Sequence, residues 1–414
     1  MNWTKEQKQV INLRNKNLLV SAAAGSGKTA VLVERILSLV TDKEKPVDID
    51  RLLVVTFTRA AAGEMKERIG RALEDRLQKD PDNVHLQKQG VLLHHAQINT
   101  IDGFCTFVLQ NYFHRIDLDP GYGIAEEDDL KVMRGKVLED LLEEEYAEGR
   151  ESFRHFAEAY GTGKNDRKLM EMISRVYDFS VSSPDPDDWL DSCLEAYAPE
   201  TEEELENSRW MQSLVREAGY RAEGLLQSAV QLRDFVIRHP EAPQPYLPAL
   251  QSDVSVLADL AGKTSYRDFR AVLEEWKPEK LSGKKQPDVD PDLKEQVKKQ
   301  RTDLKDKISK LQKDFFSMSA GQILEELAVI RPQAGELVYL VRRFAAAFAA
   351  AKREKNKIDF PDLEHLALQI LTEKEEDGTR RPTAAAEELA ARFEEVMIDE
   401  YQDSNFLQEA ILSA

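Results

Sequence analysis

The chain has 414 residues, 42% of them hydrophobic, and a formal net charge of -19. That length suits two or three domains with a sizeable core, and no apolar run approaches the roughly 20 residues of a membrane span. The acidic balance argues against nonspecific nucleic-acid binding over the whole surface but leaves room for a local cationic groove. The polar start, MNWTKEQKQV, has no signal-peptide core, and Cys105 and Cys193 fit a reducing cytoplasm without a disulfide framework. The His94–His95 pair lacks partners at the spacing a zinc site needs.

In chain order, residues 5–15 carry apolar positions at helical spacing. Asn17–Val20 is a short apolar run ending in small residues, expected as a buried strand. Ala22–Thr29 (AAAGSGKT) follows, then a helix from Lys28 to about Val40 with Val31, Leu32, Ile36 and Leu39 on one side. Leu52–Phe57 reads as a second buried strand, followed by a helix with the stripe Ala61, Met65, Ile69 and Leu73. Gln97–Ile101 is a third short strand, and Val396–Asp399 (VMID) a fourth. Strands alternating with helices predict an α/β fold with a parallel sheet.

Between about Glu126 and Ile330 charged helical patterns dominate and strand runs nearly vanish. Thr201 with Glu204 makes a capping box ahead of a long amphipathic helix, and proline-rich breaks fall at 184–186, 240–248 and 278–291. The expected organisation is residues 1–125 in the α/β domain, an all-helical insertion over 126–334, and a return over 335–414 on a helix from about Gly335 to Lys355. The last residues, NFLQEAILSA, read as a helix cut short, as in a piece of a longer chain.

Ala22–Thr29 fits the phosphate-binding pattern GxxxxGK[ST], with Ala22 in place of the first glycine. The chemistry needs a strand, a tight loop and a helix start, whose backbone N–H groups cradle phosphate. Gly25 and Gly27 permit the loop's backbone angles, Lys28 reaches the β- and γ-phosphates, and the Thr29 hydroxyl holds Mg2+. A chance match is the alternative. The expected strand before it and helix after it favour the phosphate role. The second match, Gly161–Lys164, lacks a preceding strand and reads as a loop. A phosphate loop needs an acidic partner at the end of another buried strand. In VMIDEYQDSN, Asp399 suits Mg2+ through water and Glu400 suits a general base.

The phosphate loop together with DEYQD resembles the UvrD/Rep/PcrA-like superfamily 1 helicases. Further segments match in order. WTKEQ (Trp3–Gln7) resembles the Q motif, which implies that Gln7 reads the adenine edge. TFTRAAAGEMKERI (Thr56–Ile69) resembles motif Ia, which touches single-stranded DNA. NTIDGFC (Asn99–Cys105) resembles motif Ib, and DFPDLE (Asp359–Glu364) resembles the segment ahead of motif II. The resemblance implies a RecA-like sheet (subdomain 1A, incomplete here) with a helical insertion, subdomain 1B. It also implies ATP on Gln7, Ala22, Ala23, Ala24, Gly25, Ser26, Gly27, Lys28, Thr29 and Gln402, and Mg2+ on Thr29 and Asp399. Lys28, Asp399 and Glu400 are then the catalytic residues. LLVSAAAGSGKTAVLVERI is most similar to the AddA-type subunits of AddAB-like helicase–nucleases. These imply 3′–5′ translocation on DNA, an AddB-like partner, processing of broken duplex ends for recombinational repair, and a nuclease further along the full protein. The piece by itself is then expected to be inactive. Asp102 stands where many relatives have His, Arg59 where many have Asn, and Ala30 where many carry an Arg that packs on adenine.

Phe57 and Phe104 are candidates to stack on bases, with core packing as the alternative for either ring; Thr58, Arg59 and Thr100 are candidate phosphate partners. Residues 277–313 hold twelve Lys/Arg against seven Asp/Glu. They read either as an arm on duplex DNA or as a solvated loop and helix face. Two other functions stay open at this stage: a stand-alone UvrD-like helicase without nuclease, and a noncatalytic DNA-end scaffold with a relic nucleotide site. The retained Lys28, Thr29, Asp399 and Glu400 count against the second.

Overall fold

The structure, a computed structural model, describes residues 3–23, 25–161, 165–284 and 286–414. Ala24, Lys285 and residues 162–164 of the second glycine–lysine match lie outside the described residues. The chain divides into two compact units. One comprises Met1–Ala147, Asp166–Asp187 and Val341–Ala414; the other comprises Glu148–Asn165 and Asp188–Leu340.

The first unit is built on three parallel strands in the order β2-β1-β3. In chain order its site-forming elements are α1 (Lys5–Asn12), α2 (Lys28–Val40), β1 (Leu52–Thr56), α3 (Arg59–Lys79), β2 (Gln97–Thr100), α4 (Ile101–Tyr112), α5 (Ala320–Glu354, in this unit from Val341 on), α6 (Phe360–Leu371), β3 (Glu395–Ile398) and α7 (Phe406–Ser413). Every residue of β1 is buried. Its side chains alternate between two cores, as the period of two in a strand requires. Leu52 and Val54 join Ile36, Val40, Met65 and Ile69, whereas Leu53 and Val55 join Phe104, Val108, Leu363 and Leu368.

Asn17–Val20 does not form the expected strand. It is hydrogen-bonded to no described strand, and Leu19 is 84% exposed. α5 begins at Ala320, well before the expected start near Gly335, and carries Pro332 inside it. Proline usually ends a helix, which is why the sequence pattern reads as two pieces there. The Thr201–Glu204 capping box forms, but it closes a six-residue helix, Glu202–Asn207. The long helix Arg209–Arg238 has its own cap, the Ser208 hydroxyl accepting from Met211 N.

Between Ala125 and Asn356 the described residues form helices and loops only. The chain leaves and returns at one short parallel bridge, Gly123 to Lys357 and Ile124 to Ile358. The second unit packs Arg209–Arg238 with Leu247–Ala261 and Pro291–Phe315 around Met211, Leu257, Phe269, Ile308 and Phe316. In Pro291–Phe315, Val297, Leu304, Ile308 and Leu311 face inward while Lys294, Lys299, Lys307, Lys310 and Lys313 are exposed. This part of the cationic stretch is a solvated helix face. Arg301 is the exception, buried on Asp253 at 2.6 Å. No described helix is long and apolar enough to cross a membrane.

The DFPDLE segment has a structural task. Asp359 caps α6 in a capping box with Asp362, and the buried Lys352 ammonium at the end of α5 meets both carboxylates, at 2.8 and 2.6 Å. Lys352 also lies 4.6 Å from the centre of the Phe348 ring. Removing one partner of a buried ion pair leaves an uncompensated charge, so Lys352→Ala is expected to cost about 3–5 kcal/mol. Urea unfolding of the variant checks this; a loss within 1 kcal/mol, on the order of a surface pair, would rule the clamp out.

Candidate nucleotide site

In parallel sheets ligands bind beyond the carboxyl ends of the strands. β1 and β2 align Thr56 with Thr100, and β1 and β3 align Val55 with Ile398. Three segments therefore emerge at one edge: Phe57–Arg59, Ile101–Asp102 and Asp399–Glu400. Asp399 N donates to Val55 O at 2.8 Å, which extends the β1–β3 ladder to the acidic residue itself.

The loop before α2 turns on two glycines in the left-handed region, Gly25 (φ 76°) and Gly27 (φ 84°). A side chain is strained at either position. Gly27 caps α2 with no side-chain hydrogen bond to the first turn, which leaves those N–H groups to a ligand. Ser26 N donates to Ala23 O at 3.2 Å, and the Lys28 ammonium donates to Ala22 O at 3.4 Å. Gln7 closes a capping box with Thr4 at the start of α1, and its Nε2 donates to Ser26 O at 3.3 Å. The Q-like segment thus touches the loop backbone. Thr29 is half-buried in the first turn of α2.

Burial, then the neighbouring Glu400, pushes the Asp399 carboxyl above the usual range, and Lys28 pulls it back. The ammonium of the loop and the carboxylate at the end of β3 therefore feel each other. Glu400 is held in the left-handed region (φ 59°), unusual for a residue with a side chain, and Gln402 Nε2 donates to its carboxylate. Behind the loop, the buried Arg35 of α2 donates to Glu395 Oε2 at 3.0 Å and to the Val10 carbonyl. Arg14 donates to Ser38 Oγ at 2.7 Å. Arg35 was not anticipated from sequence, yet it joins α1, α2 and β3.

The DNA candidates separate. Phe57 is 64% exposed, with Thr58 and Arg59 exposed beside it. The Thr58 hydroxyl also caps α3, accepting from Ala61 N at 3.1 Å. Phe104 is 4% exposed and packs on Phe107 and Phe393, each 6.4 Å between ring centres. It has no face to offer a base, because its ring is packed within the core. Thr100 is buried too, its hydroxyl accepting from Gly103 N as the cap of α4. Neither side chain is exposed at this edge, unlike Phe57, Thr58 and Arg59.

A profile of the UvrD/REP helicase N-terminal domain matches residues 3–414. The chain belongs to that family. Within the UvrD/REP family it is similar to an ATP-dependent helicase/nuclease subunit of Lachnoclostridium phytofermentans, at 44% identity over 100% of this chain and 30% of that protein. The proteins of the same description from Geobacillus kaustophilus and Bacillus cytotoxicus are 41% and 39% identical, each over 99% of this chain and 33% of its own length. The chain thus spans about a third of the length of these relatives.

Sequence reasoning gave no separate role to a further acid that senses Asp102. Glu364 of α6 is buried, and Gln408 Nε2 of α7 donates to its Oε1 at 2.7 Å. Burial pushes its carboxyl up to about 7, against the Gln408 hydrogen bond and with a push from Asp102. The folded chain keeps this proton where the unfolded chain, at the ordinary 4.5, has released it. The group's stabilisation is therefore whole below pH 4.5 and is lost as pH rises through about 7. At about 1.36 kcal/mol per pH unit the loss is about 3 kcal/mol. Glu364→Gln keeps the acceptor for Gln408 and removes the proton. Its unfolding free energy should lack that fall; parallel pH profiles for variant and wild type would contradict the assignment.

Proposed function

We propose that this chain is the motor portion of an ATP-dependent DNA helicase of the AddA type. In this reading it belongs to a cytoplasmic helicase–nuclease that moves 3′–5′ on DNA, pairs with an AddB-like partner and processes broken ends for recombinational repair. Residues 1–125 and 335–414 are the RecA-like subdomain 1A, and 126–334 are the helical insertion 1B. What carries the reading is the meeting of the glycine loop and Lys28 with Asp399 and Glu400 in a chain of the UvrD/REP family. The whole-length match to relatives described as helicase/nuclease subunits supports the choice within the family.

ATP would lie on the loop around Gly25 and Gly27, with Lys28 toward the phosphates and Gln7, already on the loop, toward the base. Thr29 and Asp399 would hold Mg2+. The residues fit a divalent cation, because burial and Glu400 both make an ionised Asp399 costly and a cation offsets that cost. When bound, the cation supplies positive charge to the phosphate oxygens. Glu400 takes the proton of the attacking water, and Gln402 holds its carboxylate in position. On the neighbouring strand end, Phe57 offers an open ring to a base, and Thr58 and Arg59 face the backbone of the strand.

Lys28→Ala and Glu400→Gln in the full-length protein should each abolish DNA-stimulated ATP hydrolysis without unfolding it, since neither side chain is part of the core. Wild-type turnover by either folded variant would reject the site. Phe57→Ala should weaken single-stranded DNA binding by about 1–3 kcal/mol and leave nucleotide affinity in place. Anisotropy of a labelled oligonucleotide measures this, and unchanged affinity would show that the ring is idle.

A further inference from the structure

Arg59 and Asp102 come from adjacent strand ends. The β1–β2 register pairs Thr56 with Thr100; β2 runs directly into α4, and β1 reaches α3 after Phe57 and Thr58. Arg59 is the first residue of α3 and Asp102 the second of α4, each following a threonine cap. A guanidinium and a carboxylate are thereby brought to the same edge. Burial raises the Asp102 carboxyl and the field of Arg59 lowers it, so the two charges sense each other. Neither forms an ion pair within 4.0 Å among the described residues. Arg59 is exposed, while Asp102 is half-buried.

The surroundings of Asp102 decide which way its charge acts. Behind it lies the buried Glu364, held by Gln408, with the Cys105 thiol pushed well up by burial and by both acids. An ionised Asp102 therefore gains nothing by turning inward, where it meets a second acid and apolar packing. Its favourable partner is outward, at Arg59.

We propose that Asp102 is a positioning residue that sets the grip of Arg59 on a phosphate of single-stranded DNA, by steering the guanidinium and competing with the phosphate for it. This rests on the reading that Phe57–Arg59 face the strand. The contact is then graded: Arg59 is aimed without DNA and partly neutralised, so each phosphate it takes is released readily. The motif Ib-like segment acts here through a carboxylate that a phosphate would repel, so its part in binding runs through Arg59.

The test is a double-mutant cycle in the full-length protein, with a labelled oligo-dT titrated over a range of salt. Asp102→Asn should tighten binding about two- to fivefold, the range of a part-exposed charge pair. It should also steepen the salt slope by up to about 0.7, the contribution of one phosphate contact on a single strand. Arg59→Ala should weaken binding, and Asp102→Asn added to it should tighten binding by clearly less than it does alone. Thermal unfolding of each variant serves as the fold control. Binding that is present but unmoved by Asp102→Asn, or tightened equally in the Arg59→Ala background, overturns the inference alone. Absence of oligonucleotide binding by wild type and Asp102→Asn alike overturns the proposed DNA function and the inference with it.

Discussion

The central strand β1 is the constraint on which the rest of the first unit depends. All its residues are buried, and its side chains feed two cores in turn. A shift of one residue would exchange the two sets, so the register is strongly specified. That register also decides where β2 and β3 end, and hence which residues share the carboxyl edge. Three of the segments that carry candidate site residues, Phe57–Arg59, Ile101–Asp102 and Asp399–Glu400, take their place from this register.

Buried charges fasten the elements that the strand leaves free to slide. Arg35 ties α2 to β3 through Glu395 and to α1 through the Val10 carbonyl. The helix that starts at the glycine loop and the strand that ends in Asp399 are thereby held by one side chain. Lys352 does the same for α5 and α6, satisfied by two carboxylates that are themselves engaged in a capping box. Such pairs are costly to desolvate, and their value lies in geometry as much as in net stability. An apolar replacement would fill the space without specifying the angle.

The strongly acidic composition and the proposed DNA-facing edge are reconciled locally. Arg59 is an exposed cation at the edge, and burial raises the carboxyls of both Asp102 and Glu364. Glu364 carries its proton more readily than an ordinary carboxyl, which limits the negative charge behind the strand ends. The lysines of Pro291–Phe315 lie in the other unit, on the outward side of their helix. Net charge thus predicts little about any one face, because the potential near a strand end is set by the few groups within a Debye length.

Local geometry was legible in the sequence. The loop glycines, the start of α2 at Lys28, the burial of Met65, Ile69 and Leu73, and the capping box at Thr201 follow from neighbours a few residues apart. So do β1 and β3, each of which carries a short apolar run, whereas β2 (Gln97–Thr100) has Ile98 as its one apolar residue. What the sequence could not decide was which apolar residue finds a partner. Leu19 and Phe104 look alike in pattern, yet one is exposed and the other buried, because burial depends on elements far along the chain. The same holds for charge. Arg35 with Glu395, Lys352 with Asp359 and Asp362, and Asp102 before Glu364 are meetings that only the tertiary fold arranges. Period and propensity are short-range properties, whereas desolvation and Coulomb energy depend on distance in space.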